Sequence, residues 1–230
     1  MDITDWLGQR TGLWRGYSLY ALLRGGHRLS TGGYTFKNSV GEFYAPDFAG
    51  LYQWGDWWEN KVKKIVGAVR NGLFVDIGAN IGFYSAMALK NGNKVIALEP
   101  NVKAFQALSK NAPRAELYPF AAWHQDGIIR FTEGKHTDVS HISDTGDIIP
   151  CRKIDSLLKG RMPDLVKIDV EGAEFQVLEG MTETLRNGKS MKIIFEALSD
   201  AKLRLCSAYL RSFVFIVIPL DRTNYYALNN

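Results

Sequence analysis

At 230 residues, 46% of them hydrophobic, the chain is long enough for one domain with appendages and a substantial core, which excludes a disordered or fibrous protein. Two distant cysteines, Cys151 and Cys206, exclude a disulfide framework and a cysteine-metal cluster; with no apolar run longer than Phe213–Ile218 and no signal-peptide pattern near Asp2, Asp5 and Trp6, a cytoplasmic protein is expected. The formal charge of +4 and pI near 9.0 are compatible with an anionic partner, nucleic acid or a membrane surface, without selecting one.

The first 57 residues differ in composition from the rest. "GLWRGYSLYALLRGGHR" places Leu13, Tyr17 and Tyr20 or Ala21 at helical spacing with Arg15, Arg24 and Arg28 outside. An amphipathic helix docked on the core is expected, with peripheral contact to an anionic membrane as the alternative. "YQWGDWWENKVKK" then packs three tryptophans before a basic helix start, to cover a sheet edge or to stack on a sugar ring or base. Residues 1–57 thus read as an extension and 58–230 as the main domain.

From residue 73 strand-like runs alternate with helical patterns, the signature of a mainly parallel α/β sheet. Strands are predicted at 73–77, 94–99, 116–122, 164–169 and 191–197, and helices at 81–90, 102–111, 173–187 and 200–211. Between Gly127 and Arg152 the helical rhythm breaks into two short strands around a polar loop, "TEGKHTDVSHISDTG", which reads either as a substrate lid or as a tolerated insertion. At the end, Phe213–Leu220, a four-residue polar loop and Tyr225–Leu228 leave no room for a crossover helix, so these strands should pair antiparallel.

Two strand ends carry the first chemical signal. "FVDIGANIGFYS" closes a buried strand in Asp76, and Gly78 and Gly82 let the backbone turn sharply toward a ligand. The spacing is not that of a phosphate-binding G-x-G-x-x-G, because Ala79 stands between the glycines, and no P-loop Gly-Lys-Ser/Thr follows. A ligand with an adenosine and an amino-acid end fits better: a carboxylate on the amides of Ala79, Asn80 and Ile81, with Asp76 facing an ammonium or sulfonium. "KVIALEP" ends the next strand in Glu99, 21 positions after Gly78, the place of an acid that accepts from ribose hydroxyls. The ligand these features describe is S-adenosylmethionine.

"LVKIDVEGAEFQVLEG" adds three carboxylates within six positions, Asp169, Glu171 and Glu174. Asp169 closes the fourth strand at the edge where ligands bind in open α/β sheets, so it is the leading candidate for a base or acceptor-orienting group. Glu171 on the turn is its candidate partner, two such acids raising one another's pKa if both are partly buried. Glu174 reads as a first-turn acid favoured by the helix macrodipole. His124, and His141 in the loop, are alternative bases. A divalent ion is the rival use for such acids; with no second acid-rich segment and only Glu196 also able to reach the cleft, it is not favoured, and no metal ligands are assigned.

"FVDIGANIGFYS", "VIALEPNVKAFQALSKN", "PFAAWHQDG", "CRKIDSLL", "LVKIDVEGAEFQVLEGM" and "NYYALN", in that order, resemble the FkbM-type S-adenosylmethionine-dependent methyltransferases from about Trp58 onward. The resemblance implies a Rossmann-like class I fold with a seven-stranded, mostly parallel sheet whose last strand is reversed. It also implies O-methylation of a hydroxyl on a sugar, glycan or small metabolite, with S-adenosylhomocysteine as product. By similarity Asp76, Gly78, Ala79, Asn80 and Gly82 line the methionine end, Glu99 and Pro100 the ribose, Ala121 and Ala122 the adenine edge, with Asp169 also toward the cofactor. Two alternatives are carried: an RNA ribose 2′-O-methyltransferase, in which Asp169, Glu196 and lysines such as Lys61, Lys64 or Lys192 form the catalytic set, and a catalytically silent module that keeps the fold.

Overall fold

The computed structural model describes residues 27–28, 32–47, 59–133, 141–142 and 146–229. Its centre is a seven-stranded sheet built from β4 (Leu73–Ile77), β5 (Lys94–Leu98), β6 (Glu116–Tyr118), β11 (Leu165–Ile168), β12 (Lys192–Glu196), β13 (Ile216–Pro219) and β14 (Asn224–Leu228), in the order β13-β14-β12-β11-β4-β5-β6. The pairs among β12, β11, β4, β5 and β6 are parallel, while β14 is antiparallel to both β12 and β13, so β14 is the reversed strand. The expected class I arrangement is therefore present.

The four central parallel strands, β12, β11, β4 and β5, are mostly apolar on both faces, as burial beneath helices requires. Phe74, Val95, Ala97, Leu165 and Ile194 pack with Val62 and Val66 of α1 (Asn60–Ala68), with Phe83, Tyr84 and Ala88 of α2 (Phe83–Lys90) and with Ala107 and Leu108 of α3 (Val102–Asn111). The alternate residues Val75, Ile77, Ile96, Leu98, Val166, Ile168, Ile193 and Phe195 form the second core. They meet α4 (Ile154–Leu158), α5 (Glu174–Glu179), α6 (Thr182–Asn187) and α7 (Asp200–Ser212). The result is three layers, helix on sheet on helix, with the period-2 alternation of each strand dividing its side chains between two cores.

Two expected elements are subdivided. The run Glu116–Ala122 stops as β6 at Tyr118, just before Pro119, which has no N–H for a ladder. Ala121–Ala122 is β7, in a separate four-stranded sheet with β8 (Gly127–Thr132), β9 (His141–Ile142) and β10 (Asp147–Arg152), in the order β7-β10-β8-β9. The helix expected over 173–187 divides into α5 and α6 at Gly180, where a side chain would sit 2.1 Å from the Trp123 carbonyl oxygen. The loop at 132–146 falls partly outside the described residues, as do the amphipathic helix expected over 12–28, except His27–Arg28, and the three-tryptophan segment. Within residues 1–57, β1 (His27–Arg28), β2 (Tyr34–Lys37) and β3 (Glu42–Ala45) form an antiparallel sheet. That sheet is tied to the first core through buried Phe43 and Ala45, and the Asn111 side chain bonds both the N–H and the carbonyl of Tyr44.

Candidate active site

The site forms at the carboxyl ends of β4, β5, β11 and β12. After β4 the chain turns through Gly78 (φ +76°), Asn80 (φ +49°) and Gly82 (φ +88°). At Gly78 a side chain is excluded twice over, by the left-handed backbone and because a Cβ would lie 1.8 Å from the Asp169 carbonyl oxygen. The turn folds onto β5: the N–H groups of Gly78 and Ala79 both donate to Leu98 O at 3.0 Å, and Asn80 N–H donates to Glu99 Oε2 at 2.8 Å. The other oxygen, Glu99 Oε1, accepts from Asn101 N–H at 2.8 Å. Glu99 is thus fixed by two backbone donors while each oxygen retains a lone pair for a further donor. Burial pushes its carboxyl up to about 7 against these two hydrogen bonds.

Here the geometry refines the sequence reading. The helix begins at Phe83 rather than Ile81, and of the three amides expected to seat a carboxylate, those of Ala79 and Asn80 are engaged within the protein, on Leu98 O and Glu99 Oε2. What the turn presents instead is acceptors. Asp76 Oδ2 accepts from Ser85 Oγ at 2.6 Å, but Asp76 Oδ1 and Asn80 Oδ1 are buried with no hydrogen-bond partner among the described residues. An unpaired buried oxygen costs about 1–3 kcal/mol, so two of them, one at the end of β4 and one in the turn after it, mark a place that a donor-rich ligand completes. An ammonium, with three N–H donors and a positive charge, suits this pair, and hydroxyl donors suit Glu99. The residues present therefore fit the ammonium and ribose of S-adenosylmethionine.

Next to the turn, Asp169 follows β11 and Glu171 stands on the tight turn beyond it with φ +54°. Together with Glu196, the last residue of β12, they bring one carboxylate oxygen each within 4.8 Å of one another, the one such acidic group among the described residues compact enough to share a divalent ion. Glu196 is half-buried, and burial, then the Asp169 and Glu171 carboxylates, push it up to about 8. The acid most perturbed by this crowding is thus Glu196, at the end of the neighbouring strand, where no local motif marks it. Glu174 opens α5 as expected, accepting from Gly172 N–H at 2.9 Å, and is buried.

One member of the site escaped the sequence reading altogether. Lys167, two residues before Asp169, has a side chain only 3% exposed and places Nζ 2.6 Å from Asp169 Oδ2. Nζ also lies 4.9 Å from the Tyr84 ring centre, and the Tyr84 hydroxyl donates to Glu59 Oε2. The signal was a lysine inside an otherwise apolar strand, where an unpaired charge is too costly to bury.

The remaining candidates are placed as follows. Pro100 is half-buried between Glu99 and the α3 cap Asn101, whose Oδ1 accepts from Ala104 N–H at 3.0 Å. Ala121 and Ala122 are buried in the small sheet, paired with Cys151 and Arg152. His124 is exposed on the bend after β7, its ring 5.1 Å from that of Trp123, and His141 lies in β9 opposite Thr132. The lysines considered for RNA do not converge: Lys61 and Lys64 are exposed on α1, and exposed Lys192 starts β12, at the opposite end of that strand from Glu196.

Comparison with known proteins bears on the family and the fold. The chain is 31% identical over 148 residues to the hexuronic acid methyltransferase AglP of Haloferax volcanii, a match covering 56% of this chain and 62% of that protein. Its fold matches a SAM-dependent O-methyltransferase from Thermotoga maritima with a TM-score of 0.51 at 10% identity, over 90% of this chain and 85% of that one. A precorrin-6y C5,15-methyltransferase from Geobacter metallireducens aligns with a TM-score of 0.49 at 15% identity, over 74% of this chain and 88% of that one. The model of the methyltransferase FkbM domain matches residues 76–214, more than half of the chain and the whole path from Asp76 through Glu196, and the chain belongs to the FkbM methyltransferase family.

Proposed function

We propose that this protein transfers a methyl group from S-adenosylmethionine to a hydroxyl of a sugar acceptor. The observation that carries the reading is the pairing of two orphaned buried acceptors, Asp76 Oδ1 and Asn80 Oδ1, with a twice-anchored buried Glu99 on the adjacent strand. The cleft is rich in carboxylates, Asp76, Glu99, Asp169, Glu171 and Glu196, against one buried ammonium, Lys167, a field that favours a cationic ligand. S-adenosylmethionine supplies a methyl carbon already activated by a positive sulfur, so the protein's part is positioning and proton removal.

The new oxygen–carbon bond forms as the carbon–sulfur bond breaks, the electron pair stays on sulfur, and the hydroxyl proton leaves to the protein. Asp169 is the leading acceptor of that proton: it is partly exposed at the carboxyl edge and fixed by Lys167. Glu171 and Glu196 lie beside it, and Glu196, pushed up to about 8, is suited to holding a proton near neutral pH. His124, exposed on the bend beyond β7, is kept as an alternative base. That the acceptor is a sugar is supported by the relative, which acts on a hexuronic acid.

The test is incubation with methyl-labelled S-adenosylmethionine and a panel of hexuronate-bearing and neutral glycans, small phenolic metabolites and RNA. Label in a glycan fraction, lost on Asp169→Asn, is expected. Label in RNA alone, or in nothing, would overturn the reading.

A further inference from the structure

A fully buried lysine needs a reason. Lys167 lies in β11 in register with Asp76 of β4, and strand alternation puts Leu165, Lys167 and Asp169 on the face that packs against α1 and α2. On the same face Glu196 closes β12 opposite Asn224 of β14. One polar row therefore crosses four adjacent strands at the carboxyl edge: Asn224, Glu196, the Lys167–Asp169 pair and Asp76. Above it, Tyr84 lays its ring against the Lys167 ammonium and donates its hydroxyl to Glu59, and Glu59 Oε1 accepts from Asn224 Nδ2 at 3.0 Å. The cation is enclosed by a π face and by acids on three separate segments.

Alone, burial would push the Lys167 ammonium toward the neutral form; the Asp169, Glu59 and Asp76 carboxylates more than offset this and hold it charged. Of these acids, only Asp169 is bonded directly, at 2.6 Å, and Asp169 is the partner that reaches the cleft, 30% of its side chain being exposed. The other groups hold the lysine; the lysine holds Asp169. We propose that Lys167 is a positioning residue for methyl transfer, which fixes the Asp169 carboxylate toward the acceptor hydroxyl from inside the sheet, with Tyr84 and Glu59 as its buried seat. The inference rests on the reading of the site given above and adds a residue to it. A purely structural lysine would be expected to change stability and nothing else.

A double-mutant cycle separates the two roles, with p-nitrophenyl β-D-glucuronide, or the panel glycan that takes up label, as acceptor. Lys167→Met should lower kcat roughly 30-fold or more while leaving the S-adenosylmethionine dissociation constant within about 3-fold, because the cofactor is held by other residues. In the Asp169→Asn background the same change should lower kcat by less than about 2-fold, since a residue acting only through Asp169 has nothing left to orient. The Lys167→Met/Asp169→Asn double variant removes both charges together, and its comparison with Asp169→Asn stands even if Lys167→Met alone does not fold. Single-variant activity near that of the wild type, or a double variant about 10-fold or more below Asp169→Asn, would overturn the proposal. Wild-type protein that labels no acceptor at all would instead overturn the proposed function, and this inference with it.

Discussion

Replacing Gly78 with alanine probes the junction on which the site depends. An alanine at φ +76° costs on the order of 1–3 kcal/mol in backbone strain. Its Cβ would also stand 1.8 Å from the Asp169 carbonyl oxygen, 2.8 Å from that carbonyl carbon and 3.3 Å from Val170 Cγ1. The first contact is with backbone, so the ends of β4 and β11 must separate, and overpacking of this kind adds roughly 1–3 kcal/mol. The sum, about 2–6 kcal/mol, is a large share of the 5–15 kcal/mol that ordinarily separates folded from unfolded chains, and lowers the melting temperature by roughly 4–24 °C. Gly67 in α1 is the control, because a Cβ there meets nothing within 4 Å. Alanine at that position should gain a few tenths to about 1 kcal/mol from helix propensity. Thermal unfolding followed by circular dichroism measures both. A Gly78→Ala protein within about 1 kcal/mol of the wild type would refute the close approach of the two strand ends and the placement of Asp169 derived from it.

Glu99→Gln leaves one of the two anchoring N–H groups facing an amide donor and removes the charge offered to the ribose, so S-adenosylmethionine affinity should fall about 10-fold or more by calorimetry. Glu99 also sets a pH dependence: its folded value near 7 lies above the ordinary 4.5, so its contribution to stability is complete below about 4.5 and is lost as pH rises through 7. Hydroxyl donors favour the ionised form, so cofactor affinity should rise with pH up to about 7 with proton release at pH 6; proton uptake there would contradict the assignment. Tyr84→Phe keeps the ring over Lys167 but removes the bond to buried-side Glu59, and should cost about 1–2 kcal/mol of stability in denaturant titration. Methyl transfer should survive EDTA, because Lys167 already neutralises Asp169 from within; activity lost to the chelator and restored by magnesium would assign the Asp169, Glu171 and Glu196 cluster to an ion instead.

The strand ends proposed to bind the cofactor could be read locally, because an apolar run, a glycine turn and an acid at the next strand end are contiguous in sequence. β4 spans 73–77 and α3 spans 102–111 as expected, each bounded by its own turn or cap residues. What escaped depended on distant contacts. Gly180 breaks a helix because the Trp123 backbone approaches it, and Pro119 ends a strand whose continuation finds another partner, β10. Glu196 was legible as a residue that could reach the cleft, but not its perturbation by the acids that follow the neighbouring strand, and Lys167 is held by Tyr84 and Glu59, with Glu59 and Asn224 separated by 165 positions. Such a network exists only once strand register has been set, and a lone lysine in "LVKID" gives no hint of which groups will enclose it.

The most direct test of the account is calorimetric titration of the protein with S-adenosylmethionine, beside Glu99→Ala and Asp76→Asn variants. Saturable binding of one cofactor per chain to the wild type, weakened strongly by either substitution, is the predicted result. No binding to the wild type, or affinity unchanged in both variants, would contradict the claim that the ends of β4 and β5 form the cofactor site.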